Sequence, residues 1–143
     1  MTPGHVLVPL DGSPLAEDAL AHALAVFDCR TTVLNVVTPL DAGMTEGGIL
    51  EPDAAREREA QTRAERLVEK ARDRPAAAEQ PVETVTDIGD PAETILAYVT
   101  DHDVDHVVMG GHGGERTGIA ERLLGTVATV VVSGADVTVT VVR

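Results

Sequence analysis

Tryptophan is absent, and phenylalanine, tyrosine, cysteine and lysine occur once each in a chain of 143 residues. Without aromatic bulk, the core has to be built from Val, Leu, Ile and Ala. The lone Cys29 cannot close an internal disulfide, which excludes a small disulfide-stapled scaffold and agrees with a reducing compartment. No apolar run reaches the about eighteen residues that a membrane-spanning helix requires. The first residues, Met1-Thr2-Pro3-Gly4-His5, carry no basic stretch and lead straight into Val6-Leu7-Val8. No secretory signal is expected, and a cytoplasmic location is.

Positive charge is also scarce. Asp and Glu total 24 against 11 Lys and Arg, a formal net charge of −13. Such a chain repels phosphate backbones and anionic headgroups, which disfavours nucleic acid and membrane surfaces as partners. Dense acidity with almost no lysine is expected of a protein that folds in a salt-loaded cytoplasm, where screening suppresses carboxylate repulsion. What is present is ordinary globular material. Apolar residues make up 43%, so disorder is excluded, and the length suits one domain over residues 1–143.

His5 to Leu10 is a short apolar run ending at the turn Asp11-Gly12-Ser13, the pattern of a buried strand. Ser13-Pro14 then opens a helix, with Ser as N-cap and Pro pre-set for the first helical position. Its apolar stripe takes in Leu15, Ala19, Ala23 and Val26 with Ala16, Leu20, Leu24 and Phe27. Thr31 to Val37 is β-branched and predicts a second strand, with Asn35 its strongly polar interruption. Residues 38–53, with three glycines and two prolines, read as a long loop. A highly charged helix follows, Asp53 to Arg74, its inner face marked by Ala60, Ala64, Leu67, Val68 and Ala71 and its charges read as a solvated surface. Val82 to Ile88 alternates as a strand. Asp90-Pro91-Ala92-Glu93 predicts a helix start with the form of a capping box, and Ile95, Leu96, Tyr98 and Val99 face inward. His106 to Met109 is another buried strand. Gly125 to Ser133 has strand propensity, but Gly134 suits a helix C-terminal cap and Val137 to Val142 is a clear last strand, so a helix is expected between. Five strands alternating with four helices predict an α/β fold: an open five-stranded parallel sheet, Rossmann-like, with helices on both faces.

In such sheets ligands bind beyond the carboxyl ends of the strands, where strand order reverses. Two loops leave strands with unusual chemistry, Pro9 to Ser13 and the glycines at 110, 111, 113 and 114. If the first and fourth strands are neighbours, both open onto one crevice. Glycines there let backbone N–H groups approach phosphate oxygens, or they simply make a tight turn. Gly125-Thr126 starts the following helix, whose N-terminus attracts anions. Asp11 is placed to accept hydrogen bonds from a base amine or ribose hydroxyl. The loop is not a Walker loop, because no G-K-[ST] follows and Lys70 is far away.

The residues now show a resemblance. Val6 to Ser13, Gly89-Asp90-Pro91-Ala92-Glu93 with Ile95, Val107 to Gly113, and Leu123-Leu124-Gly125-Thr126-Val127 together resemble the universal stress protein family over essentially the whole chain. Nucleotide-binding members carry G-x2-G-x9-G-[ST]. Gly110 and Gly113 fit the first pair and Gly125-Thr126 the end, with eleven residues between Gly113 and Gly125 where the family has nine. The resemblance implies an ATP site with Mg2+ or Mn2+ beside the phosphates. Asp11 would lie near adenine or ribose, with Pro9 and Val36 lining the base. Met109, Gly110, Gly113, Gly125 and Thr126 would hold ribose and phosphates, with Val127 adjacent. It also implies a binding and regulatory stress-response module without established turnover, homodimeric through the last strand, Val137 to Val142.

A nucleotide-hydrolysing or phosphotransfer enzyme on the same site, and a dimerisation module with an empty site, are the alternatives. A phosphorelay receiver domain is rejected, since the chain lacks the Lys which that family needs near the end of its last-but-one strand. Ser13 reads as a cap rather than a nucleophile, Cys29 as structural, His112 as a phosphate donor or a solvent-facing loop residue, and His5, His22, His102 and His106 show no metal-ligand pairing.

Overall fold

The computed structural model describes residues 3–10, 14–38, 52–72, 80–111 and 125–143. Strands and helices alternate: β1 (His5–Leu10), α1 (Pro14–Val26), β2 (Arg30–Val37), α2 (Pro52–Arg72), β3 (Val82–Ile88), α3 (Pro91–Asp101), β4 (His106–Gly110), α4 (Thr126–Gly134) and β5 (Thr138–Val142). The five strands form one parallel sheet in the order β3-β2-β1-β4-β5. The chain moves outward from β1 to β3, crosses back to the other side of β1, and continues to β5. Right-handed crossovers therefore put α1 and α2 on one face and α3 and α4 on the other.

Two apolar cores follow from that layering. Val6, Val8, Leu10, Val33 and Val108 point to α1 and α2, where Ala16, Ala19, Leu20, Ala23, Leu24, Ala64 and Val68 meet them. Leu7, Leu34, Val107 and Met109 point to α3 and α4, against Ala92, Ile95, Tyr98, Val99, Ala128 and Val131. The period-2 alternation of a strand makes this division, since neighbouring side chains leave opposite faces. The central strands β1 and β4 are buried on both sides, which is why they read as continuous apolar runs.

Helix α2 has little apolar surface and is held partly by polar contacts. The Asn35 carboxamide donates to the Ala60 carbonyl at 2.5 Å, and Gln61 donates to the Thr84 carbonyl at 3.2 Å while its side-chain oxygen accepts from the Thr86 hydroxyl. The polar interruption of β2 thus fixes how α2 is rotated against the sheet.

Two expectations are corrected. Val26 is 58% exposed and lies off the α1 stripe, because α1 ends at that residue and the chain already turns toward β2. Gly134 is not the cap of α4 but its last residue; Ala135 caps it in an extended conformation, its N–H on the Val131 carbonyl. A Cβ at Gly134 would lie 3.0 Å from Leu96 Cδ1 of α3, the mobile end of that side chain. The expected Ser13 cap, most of the loop over 38–53, and the residues following Arg72 in the charged helix lie outside the described residues.

Candidate functional site

β1 and β4 are hydrogen-bonded neighbours, so strand order reverses between them and a crevice opens at their carboxyl ends. A cavity of about 400 Å³ lies there, bordered by Pro9 and Leu10 of β1, Val36 of β2, and Met109 and Gly110 of β4. Helix starts close it: Pro91 and Ile95 of α3, Gly125 and the first residues of α4, and Ala16 of α1. Seven of the nine residues expected from sequence thus border one cavity: Pro9, Val36, Met109, Gly110, Gly125, Thr126 and Val127. Asp11 and Gly113 lie outside the described residues.

Each wall has a local cause. Period-2 alternation sends Pro9 and Met109 to the α3/α4 side of the sheet, with Met109 buried as a floor. Gly110 ends β4 against the first turn of α1, where a Cβ would come within 2.8 Å of Leu15 Cβ and 3.1 Å of the Leu15 carbonyl carbon. Close packing of strand on helix is sufficient reason for glycine at this position. Gly111 donates to the Val142 carbonyl at 2.8 Å, and Gly125 donates to the Gly111 carbonyl at 2.5 Å. Residues 111 and 125 are thereby joined, and the start of α4 is set beside the end of β4.

The two helix starts at the cavity differ electrostatically. Asp90 caps α3, its carboxylate accepting from the Glu93 N–H at 3.0 Å. Gly125 caps α4 with no side-chain hydrogen bond. The first N–H groups of α4 have no acceptor within the helix, so this end keeps its partial positive charge and unspent donors. The cavity pairs an apolar floor and wall with one polar, anion-attracting edge, the usual make-up of a small-molecule site.

Leu10, Ala16, Pro91, Ile95 and Ala128 border the cavity but were not among the expected site residues. A signal for Pro91 and Ile95 existed: a right-handed crossover from β3 to β4 has to lay the start of α3 over the reversal point. The described histidines, His5, His22, His102 and His106, do not border the cavity. His5 and His106 are buried at the opposite, amino-terminal ends of β1 and β4. His5 Nδ1 donates to the His102 carbonyl at 3.0 Å, leaving Nε2 to accept from the Thr32 hydroxyl at 2.8 Å. Burial pushes both imidazoles below the ordinary histidine range, and His22 adds to the effect on His106. Burial raises the Cys29 thiol, with Asp105 and Asp28 adding to it, which makes that sulfur a poorer nucleophile. Among the described residues no three His, Cys, Asp or Glu side chains gather as a metal-holding group.

The same architecture recurs in solved structures. The hypothetical protein MJ0577 is 28% identical, with a TM-score of 0.81, over 99% of this chain and 96% of that one. The universal stress protein UspA from Lactobacillus plantarum is 24% identical, also at 0.81, over 100% and 99% of the two chains. A universal stress protein family protein from Arabidopsis thaliana, solved with AMP bound, is 20% identical with a TM-score of 0.61, over 98% and 91%. No curated protein matches the sequence significantly. The sequence matches the universal stress protein family over residues 3–143, and with the strand order and reversal-point cavity in agreement, the chain belongs to that family.

Proposed function

We propose that the chain binds an adenine nucleotide, ATP, in the cavity between β1 and β4 and works as a binding and regulatory module in a stress response. The observation that carries this is the convergence of Pro9, Val36, Met109, Gly110 and the 125–127 backbone on one cavity of about 400 Å³. Pro9 and Val36 supply apolar contact for a planar base, and Met109 floors the cavity beside the ribose. Thr126 and Val127, in the first turn of α4 after Gly125, put the unspent donors of that helix where phosphate oxygens would find them. Support also comes from the AMP-bound Arabidopsis relative. Asp11 and Gly113 take the roles implied by their positions in the family motif, Asp11 toward base or ribose and Gly113 toward phosphate. A divalent cation, Mg2+ or Mn2+, would be held chiefly by the phosphates themselves and would neutralise part of their charge.

Two further readings belong with this one. β5 is an edge of the sheet, and its Val139 and Val141, like Val137 just before it, are only half-buried. A second copy pairing along β5 would satisfy the open backbone groups and cover these valines. No helix among the described residues is long and apolar enough to cross a membrane. The lone Cys29, which cannot close a disulfide within the chain, fits a reducing cytoplasmic compartment.

Calorimetric titration with ATP and with AMP in molar KCl tests the function. Saturable binding is expected, weakened by Asp11→Ala, which removes an acceptor for base or ribose. Gly125→Val places a branched side chain at the cavity edge and should weaken it too. Absence of both heat and thermal shift with either nucleotide overturns the reading. Mass spectrometry of small molecules released on denaturing the purified protein would identify the resident nucleotide, and steady phosphate release from ATP would turn the module into a hydrolase.

A further inference from the structure

A second, larger cavity lies on the opposite face of the sheet, between α1, the end of β2 and α2. Its volume is about 540 Å³, and Leu10 and Val36 border both cavities. The charged residues along it are Arg56, Glu59, Arg63, Arg66 and Lys70 of α2 and Glu17 of α1. Four of the chain's 11 basic residues thus line one groove, against two carboxylates, in a protein whose net charge is −13. Their spacing is regular. Arg56, Arg63 and Lys70 recur every seven residues, so they share one helix face at intervals of about 10 Å, with Arg66 between the last two. The rotation of α2 that presents this face is set by Asn35, Gln61 and the buried Ala60, Ala64 and Val68.

In a chain with 24 carboxylates, basic side chains have no shortage of partners. Among the described residues Arg30 and Glu83 form an ion pair at 2.9 Å, remote from this groove, and Arg63, Arg66 and Lys70 make none. Arg56 is anchored at the mouth, donating to the Thr38 carbonyl at 2.8 Å. Guanidinium groups match phosphate oxygens through paired N–H donors. A row of them along a groove about 20 Å long fits a ligand whose negative charge repeats along its length. We infer that this groove binds a short chain of linked phosphates, at a site separate from the nucleotide cavity. Both readings predict anion binding, so the variants have to tell the two cavities apart.

The probe is inorganic tripolyphosphate, titrated calorimetrically at the lowest KCl concentration at which circular dichroism shows the protein fully folded. Saturable binding is expected. The triple variant Arg63→Ala/Arg66→Ala/Lys70→Ala should lose about tenfold or more in tripolyphosphate affinity, while binding AMP as the unaltered protein does. The three substituted side chains are exposed, so folding should survive, and an unchanged melting curve checks this. The Lys counterpart, Arg63→Lys/Arg66→Lys, keeps the charge without the paired donors and should fall between the wild type and the triple variant. Failure of the unaltered protein to bind overturns the inference. Loss in Gly125→Val but not in the triple variant also overturns it, by assigning the phosphates to the other cavity. Citrate binding as tightly as tripolyphosphate, or a short RNA displacing it, would overturn the assignment to linked phosphates.

Discussion

Two adjacent threonines at the start of β2 have opposite prospects. Thr31 and Thr32 are both fully buried. The Thr31 hydroxyl has no hydrogen-bond partner, whereas the Thr32 hydroxyl meets His5 Nε2 at 2.8 Å. A buried polar atom without a partner costs more than the same volume of hydrocarbon. Thr31→Val should therefore stabilise the fold by about 1 kcal/mol in denaturant titration, and Thr32→Val should destabilise it by about 1–2 kcal/mol by stripping His5 of its donor. The histidines also set a pH response. His5 and His106 are held below their ordinary value, first by burial; Arg30 opposes the His5 charge further, while the His102 carbonyl, Glu83 and Asp105 favour it. Their neutral forms are the folded forms, so between the folded and unfolded values the unfolded chain binds more protons. Stability should be at full strength above the ordinary histidine value of about 6.5 and decline as the pH falls through the lower folded values. Melting temperature followed from neutral pH downward measures this. His106→Gln should flatten the decline, and an unchanged slope in both His5→Gln and His106→Gln would disprove the assignment.

At the scale of elements, the helix starts decide most. α3 has a carboxylate cap and a proline at its first position, so its N-terminus is satisfied before any ligand arrives. Removing the cap by Asp90→Ala should cost about 1 kcal/mol of unfolding free energy. Because Pro91 borders the cavity, the same change should also weaken ATP binding slightly. α4 begins at a bare glycine, leaving its donors open to a ligand at some expense to its own stability. The sequence signals for these two helices differ accordingly. Asp90-Pro91 announces a helix from the local chain. Thr126 to Val132 carries strand propensity, and its helical state follows from being the crossover between β4 and β5, with Ala128 and Val131 buried against α3 and the sheet.

For the whole molecule, charge and symmetry make the remaining predictions. A net charge of −13 on 143 residues produces self-repulsion that salt screens. Melting temperature should rise steeply from dilute buffer to molar KCl, and a flat response would remove the case for salt adaptation. The dimer through β5 predicts a dimeric mass by light scattering in high salt. Val139→Pro, which removes a backbone donor from the edge strand, should shift that mass toward the monomer. A monomeric unaltered protein at micromolar concentration would refute the arrangement.

Sequence by itself determined the number, kind and order of the elements. Buried parallel strands must be apolar on both faces, and α1 and α3 must show stripes or caps, so periodicity and end signals suffice to read them. Local signatures, a strand end and a helix start, also brought forward the turn after Pro9, the glycines after β4 and Gly125-Thr126, while Val36, Met109 and Val127 came only from the family resemblance. Tertiary structure alone decided which strands are neighbours, and with that where the order reverses and which loops face one crevice. It decided that Gly110 is a glycine because Leu15 Cβ and backbone press on it, a contact between positions far apart in the chain. It also decided that the basic residues of α2, which in sequence read as a solvated surface, line a groove against α1 and β2. A helix's own sequence shows which residues share a face, but what that face meets depends on how the sheet and its neighbours turn it.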